Sequence, residues 1–584
     1  MTTQAPEAVT TAELAPARYA PLLDEVEVAV LAGGTDADWT LEEAAPGVRV
    51  LRIDAPRVPV EVRLSVPLGD AAGYWHPGAD WRRTLVADWE GRSTVSLVDG
   101  LAAGCLYDYA GATLLTFATA DPVPEVALRY GVSEENDTHV VHLHLPPAEQ
   151  PHRLLLVPRA PSVAAALRPL RAWFTDRTRA MPVPEAARVP LYCTWYAYNQ
   201  NVTAAEVEKQ ARLAAGLGFG ALILDDGWQE HGSGRGYAGV GDWTPDPRKF
   251  PDFAGHVARV RDTGLRYLAW VAPLLLGPKA ACHDRWEPYA PTAAGVPGAN
   301  VLDPRRPEVR AHVVDLCVRL VREHGLDGLK VDFLDEAMVY AHDGGGDVGR
   351  ALTLLLADLR TGLEAVRPDV LLELRQPYVG PGMAAFGNML RSFDCPGDST
   401  GNRVRTIDTA LLAVGGAVHS DPLMWEAGAP VESCARHLIS TLHAVPQVSV
   451  RLDALPEEHL AALRFWLAQW RALRPQLLDG RVEPGRPDEL YTVVESVADG
   501  VCVLDVHTGR AVPLRPADFT ETVLVNGSSA DRLVLEVHGG ELAAEIEVHA
   551  ADGRMIDRVQ TTLVPGLRSV PVPRMGLARI RSSV

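Results

Sequence analysis

Between residues 188 and 480 short apolar runs alternate with segments of helical spacing, and that alternation leaves few folds open to the chain. The runs are VPLYCTWY (189–196), GALIL (220–224), RYLAWVA (266–272), GLKVDF (328–333), VLLEL (370–374), NMLRSF (388–393), GAVHS (416–420) and QVSV (447–450). Between them apolar residues recur on one helical face, as in Val309, Val313, Leu316 and Leu320 after Pro307, and in Val348, Leu352, Leu355, Leu359 and Leu363. The Thr203-x-x-Glu206 spacing after the first run is a capping box. Eight such strand–helix units predict an α/β protein with a closed (β/α)8 TIM barrel at 188–480.

The flanks read differently. Residues 1–160 carry strand-like alternations such as VRVLRI (48–53) and VEVRLSV (60–66), broken by Gly, Pro and Asp, which predicts an all-β N-terminal domain. Residues 161–187 hold a helical patch, VAAALRPLRAWF, and then the proline-containing MPVPEAARVP, a helical connector ending in a linker. From 481 to 584 strand patterns return. YTVVESVA and VCVLDVH flank Asp499-Gly500 as a hairpin would, a second Asp-Gly pair lies at Asp552-Gly553, and a C-terminal β-sandwich is expected.

A barrel sets its reactive groups at the C-terminal ends of its strands. Those ends carry Trp195 and Tyr196, Asp225 with Asp226, Lys330 with Asp332, Glu373 with Arg375, and Arg391 with Asp394. Two carboxylates across one barrel mouth are what glycoside cleavage requires: one attacks the anomeric carbon and the other protonates the leaving oxygen. Asp332 and Asp394 are the expected pair. Asp398, four residues on in a loop with Pro396 and Gly397, is the alternative acid/base, and Asp394 is favoured as the one closer to Arg391. The vicinal pair Asp225-Asp226 suits adjacent sugar hydroxyls, and Trp195 and Trp243 offer faces for a pyranose ring.

Lysine is rare here, only Lys209, Lys249, Lys279 and Lys330, so a lysine two residues before Asp332 stands out. It shares a strand face with that carboxylate and is expected to contact sugar hydroxyls and keep Asp332 ionised. Weaker candidates are Trp75, His419, Asp421 and Trp425, for which structural roles are the expectation.

The chain carries 75 acidic against 55 basic residues, a formal charge of −20, which disfavours nucleic acid and anionic membranes and suits a neutral sugar. No apolar run reaches the length of a membrane helix and the N-terminus lacks a leader pattern, so the cytoplasm is the expected compartment. Seven scattered cysteines without a CxxC pair are expected to be reduced. No zinc spacing, phosphate-cradling loop, dinucleotide fingerprint or EF-hand occurs, and neither cofactor nor metal is expected.

In these residues the sequence resembles the clan D α-glycosidases, nearest to glycoside hydrolase family 36, over almost the whole chain. The carriers are CTWYAYNQ (193–200), LDDGW (224–228), GDWTPDPRKFP (241–251), LKVDFLDE (329–336), RSFDCPGD (391–398) and HSDPLMW (419–425), in that order. The resemblance implies an N-terminal β-supersandwich, a catalytic barrel and a C-terminal β-sandwich, acting as a retaining α-galactosidase on small oligosaccharides or glycosides. It implies Asp332 as nucleophile, Asp394 as acid/base, Asp225 and Asp226 as the hydroxyl-binding pair, and Lys330, Trp243 and Arg391 as sugar contacts. Family members often form homo-oligomers through the N-terminal domain, so that assembly is an open expectation.

One departure is Arg375 in ELRQPY (373–378), where such α-galactosidases usually carry a cysteine and a glycine-rich stretch. A fixed cation with five donors there suits a different hydroxyl pattern or a carboxylate-bearing sugar. Transglycosylation, with a sugar acceptor in place of water, and a carbohydrate-binding protein without turnover are the alternative expectations.

Overall fold

The computed structural model describes residue 14 and residues 16–582, residues 79 and 81 excepted. The leader reading rests on residues 1–17, of which 1–13 and 15 lie outside the described residues.

All eight apolar runs of the central region form parallel strands of one sheet: β1 (Leu191–Cys193), β2 (Ala221–Leu224), β3 (Arg266–Val271), β4 (Gly328–Val331), β5 (Leu371–Arg375), β6 (Met389–Arg391), β7 (Ala417–His419) and β8 (Gln447–Val448). They pair in sequence order, β8 returns to β1, and the bridges His419–Val445 and Leu423–Val448 join β7 to β8. The strands are shorter than the apolar runs suggest. β1 ends at Cys193 because Thr194 turns helical, and Trp195–Tyr198 forms one helical turn whose Tyr196 and Ala197 amides donate to Ser449 Oγ.

The crossovers also depart from eight regular units. Helices Ala204–Leu217, Phe253–Arg261, Pro307–His324, Val348–Val366, Ser399–Leu412, Val431–Ser440 and Glu457–Arg474 wrap the barrel, but β5 and β6 are joined only by the 3₁₀ turn Pro381–Met383. Pro377, Gly380, Pro381, Gly382 and Gly387 crowd that short segment and prevent a regular helix. Elsewhere the helical spacing is realised: Val309, Val313, Leu316 and Leu320, and likewise Val348, Leu352, Leu355, Leu359 and Leu363, are buried. Thr203 Oγ1 caps the helix by accepting from the Glu206 amide, and it donates to the Glu206 carboxylate.

Before the barrel, a seven-stranded and a six-stranded antiparallel sheet face each other across a core that includes Val62, Leu64, Phe117, Leu143 and Leu154. Strand Gly91–Val95 closes one edge of the first sheet and Ala71–Trp75 one edge of the second. Helix Val163–Arg177, capped by Ser162, leads to the barrel. After the barrel, a seven-stranded and a three-stranded sheet pack over Leu504, Leu514, Leu524, Leu535 and Ile546. Asp499 and Gly500 both have positive φ in the turn between Val493–Ala498 and Val501–Val506, the two-residue hairpin the Asp-Gly pair demands.

One carboxylate joins the three parts. Asp408, buried on helix Ser399–Leu412, accepts from Trp75 Nε1 (2.7 Å) and Arg83 Nη2 (2.6 Å) of the N-terminal sheets and from Tyr491 Oη (2.5 Å) beyond the barrel. Trp75 is thus spent on this junction and does not overhang the barrel mouth. Removing one partner of a buried pair leaves an uncompensated charge, at a cost of about 3–5 kcal/mol. Asp408→Ala is expected to lose stability on that scale in denaturant titration, and Asp408→Asn less; loss under about 1 kcal/mol would show that Arg83 finds another partner.

Among the described residues no helix is long and apolar enough to cross a membrane. All seven cysteines are unpaired, six of them buried.

Candidate active site

At the C-terminal mouth of the barrel lies a hollow of about 180 Å³ lined by Trp195, Asp225, Asp226, Tyr237, Trp270, Lys330, Asp332, Phe333, Arg375, Arg391, Phe393, Asp394, Asp421 and Pro422. Eight of the ten residues expected at a site line it: Asp332, Asp394, Trp195, Asp225, Asp226, Lys330, Arg375 and Arg391.

Asp332 follows β4 directly. Its Oδ1 accepts from Arg375 Nε (2.6 Å), Tyr378 Oη (3.0 Å) and the Phe333 amide (2.8 Å), and its Oδ2 from Trp270 Nε1 (2.9 Å). The Phe333 amide reaches back because Phe333 has φ +57°, a strained conformation for an aromatic residue and one that clusters at functional sites. Burial alone would raise the carboxyl's pKa, but Arg375, Lys330 and the Trp270 hydrogen bond outweigh it and hold Asp332 ionised far below the usual carboxylate range.

Lys330 does not bond Asp332. Its Nζ meets Asp225 Oδ2 at 2.6 Å, and it acts on Asp332 through the field only. Asp225 is anchored further by the Cys193 thiol, and its Oδ1 accepts from the Asp226 amide. Asp226 is held by Gln200 Nε2 (2.7 Å) and Gln229 Nε2 (2.8 Å), and burial lifts its carboxyl to about 6. These anchors fix both carboxylates at the floor while their remaining lone pairs stay open to hydroxyl donors.

Arg391 ends β6 and divides one nitrogen between Asp394 Oδ1 (2.8 Å) and Asp421 Oδ1 (2.5 Å), with Glu373 Oε1 behind it at 3.6 Å. Asp394 is 51% exposed in its side chain, whereas Asp421 is enclosed and also accepts from Tyr196 Oη and the Cys395 amide. Burial lifts Asp421 to about 7, although Arg391 opposes it. For Asp394 burial is outweighed by Arg391, and its carboxyl sits below the ordinary value.

Two expected residues lie elsewhere. Asp398 caps helix Ser399–Leu412, its Oδ1 accepting from the Gly401 amide at 2.8 Å, and does not line the hollow. Trp243 is buried behind the wall, 5.4 Å from the Trp270 ring and 6.3 Å from Trp228. Trp270 takes the wall position instead, at the C-terminal end of β3, where the strand-end rule would have found it. Tyr237, on the long excursion after β2, left no periodic signal, and Asp421, held for a structural role, stands in the wall. His419 and Trp425 do hold structural bonds, to the Ala187 carbonyl and to His459.

Among the described residues no group of three or more His, Cys, Asp or Glu side chains is arranged to hold a metal ion. The hollow is therefore a set of fixed carboxylates and cations between aromatic walls. Such a set can bind hydroxyls, stabilise developing positive charge and exchange a proton at its exposed edge.

Residues 178–374 match the Melibiase family model. The chain is 29% identical to α-galactosidase C of Emericella nidulans over 161 residues, 25% of this chain and 22% of that protein. It is 27% identical to an α-galactosidase of Escherichia coli over 175 residues, 29% of this chain and 25% of that protein. These matches thus span about a quarter of the relatives' length. The fold extends much further. A GH36 α-galactosidase variant from Geobacillus stearothermophilus in complex with raffinose superimposes with a TM-score of 0.61 at 16% identity, over 97% of this chain and 86% of that one. The α-galactosidase from Lactobacillus brevis does so at 0.62 and 14%, over 100% and 84%. The first part of the barrel thus matches the Melibiase model, and the chain shares the fold of these α-galactosidases over almost its whole length.

Proposed function

We propose that the protein is a retaining α-glycoside hydrolase that releases a terminal α-linked galactose by double displacement. The observation that carries this reading is the pair Asp332 and Asp394 in one sugar-sized hollow with opposed settings, the first enclosed and anchored, the second open to the mouth. The similarity to α-galactosidases supports galactose as the sugar.

Asp332 attacks with Oδ2, which bears one donor, while three donors hold Oδ1 in place. Asp394 gives its proton to the leaving oxygen and then takes one from water. It does so once substrate fills the mouth, when exclusion of water removes the solvation of its charge and Asp421 keeps a share of Arg391. Asp225 and Asp226 accept sugar hydroxyls, and Trp195 and Trp270 close the apolar sides. Arg375 is a positioning residue, since it acts through Asp332.

A screen of nitrophenyl α-glycosides tests the reading: turnover of the galactoside above glucoside, N-acetylgalactosaminide and arabinoside supports it, and turnover of none would overturn it. The pH profile gives a finer check. Arg375→Ala removes a cation that depresses Asp332, so the acidic limb of kcat/KM is expected to move to higher pH. Asp421→Asn leaves Arg391 wholly to Asp394 and removes a nearby negative charge, so Asp394 loses its proton earlier and the alkaline limb moves to lower pH. The reading extends to a cytoplasmic setting, supported by seven cysteines without a disulfide.

A further inference from the structure

A second hollow, of about 470 Å³, lies at the other end of the barrel from the first, where the connector, the barrel and the C-terminal sheets meet. One wall is the N-terminal end of β7, Ala417 and Val418, whose C-terminal end leads on to Asp421 in the first hollow. Helices Val163–Arg177 and Ser399–Leu412, the turn Pro475–Asp479 and strand Arg481–Glu483 close around it. The two hollows share no lining residue.

Charge is its first feature. Four arginines line it, Arg168, Arg171, Arg188 and Arg481, against one carboxylate, Asp479. Asp479 takes Arg188 (2.6 Å), Glu483 takes Arg168 (2.8 Å), and Arg481 reaches Glu483 (3.7 Å) and Glu495 (3.3 Å). Arg171 has no ion-pair partner among the described residues; its Nη1 donates to the Ala410 carbonyl at 3.4 Å, and burial together with Arg168 pushes its pKa below the usual arginine range. The second feature is apolar surface, from Ile407, Leu411, Val418, Leu477 and Val482. None of the lining residues is Phe, Trp or Tyr, so the face that a pyranose ring takes is missing. The third is an orphaned donor: His443, buried in the wall, has no hydrogen-bond partner at Nε2. Burial lowers its pKa to about 4, so the ring is neutral, and with its proton on Nε2 it offers a hydrogen bond that is costly to leave unmade.

Exposure sets the orientation of a ligand. The Arg168, Arg188 and Arg481 side chains are 39%, 27% and 57% exposed and form a rim with Arg171, whereas His443 is 7% exposed and lies inside. A mainly apolar hollow with a few placed polar groups is the ordinary form of a small-molecule site. We propose that this hollow is a second ligand site, for an elongated carboxylate whose anionic head pairs with Arg171 at the rim, whose apolar body lies against Ile407, Leu411 and Val418, and whose inner end accepts from His443. The site is separate from the sugar hollow and stands whether or not the protein is a glycosidase.

Calorimetric titration of the full chain with three probes tests the assignment. The probe ω-hydroxyoctanoate carries head, body and inner acceptor; octanoate lacks the acceptor, and octanediol lacks the charge. Saturable one-to-one binding is expected for ω-hydroxyoctanoate, severalfold tighter than for octanoate and at least tenfold tighter than for octanediol, the scale of a hydrogen bond to a charged group. Arg171→Met is expected to weaken ω-hydroxyoctanoate at least tenfold and leave octanediol unchanged. Ala410→Trp fills the hollow from a half-buried helix position and should abolish binding of all three, and His443→Phe should erase the preference for ω-hydroxyoctanoate over octanoate. Circular dichroism checks the fold of each variant, and Arg171→Met, changed at the rim, decides the matter if the other two do not fold. Octanediol binding as tightly as the carboxylates, an affinity unchanged in Arg171→Met, or no saturable binding of ω-hydroxyoctanoate below about 10 mM would overturn the assignment.

Discussion

Asp332→Gly is expected to lower kcat/KM for nitrophenyl α-galactoside on the order of 10⁴-fold or more, the scale on which loss of a covalent nucleophile is felt. The side chain is not replaceable by a neighbour. Asp225 and Asp226 are tied to Lys330, Gln200 and Gln229, and Asp421 is enclosed with Arg391 and Tyr196. The vacated space is small, lies between Trp270 and Arg375, and is cationic on one side, so azide should enter it. In a retaining mechanism azide attacks from the face that the carboxylate used, and β-galactosyl azide is the expected product. Its detection by NMR, with partial recovery of rate, identifies the nucleophile. Product of the opposite configuration would assign the attack to another group.

The second large effect is at Asp394. Proton transfer to a leaving oxygen contributes about 10²- to 10⁴-fold, so Asp394→Ala is expected to lose that much on melibiose, whose alkoxide leaves poorly. On nitrophenyl or fluoride substrates the first step needs no proton, and the loss there falls on the second step, where water must be activated. A burst of nitrophenol followed by a slow steady state is the expected trace, and added azide should speed the steady state by replacing water. Equal losses on all substrates would make Asp394 a structural partner of Arg391 only. Asp398→Ala serves as the comparison: it removes a helix cap worth about 1 kcal/mol and should show as lost stability, not as a leaving-group dependence.

The barrel was legible because its signal is periodic and repeated. Eight apolar runs in one stretch of chain survive errors of two or three residues at each end, and strand-end polar residues follow from the fold. What was not legible came from single backbone events. The turn at Thr194 shortened β1, and a proline- and glycine-dense segment replaced the helix between β5 and β6. Two residues chosen by motif, Trp243 and Asp398, lie outside the hollow for a common reason: each sits in a loop whose path no period dictates. Trp243 turned inward at positive φ to pack on Trp270, and Asp398 caps the fourteen-residue helix Ser399–Leu412. Arg375 was read as a sugar contact because a fixed cation at a barrel mouth suggests one. Its Nε is already committed to Asp332, a pairing between adjacent strands that only their register reveals.

The Asp408 junction bears on whether the barrel is a portable module. A fragment cut at the connector and again before the C-terminal sheets would keep this aspartate inside helix Ser399–Leu412 and lose Trp75, Arg83 and Tyr491 together. Heating the intact chain should then give one calorimetric peak, not three, and swapping the flanking sandwiches between relatives should succeed only when all four side chains travel as a set.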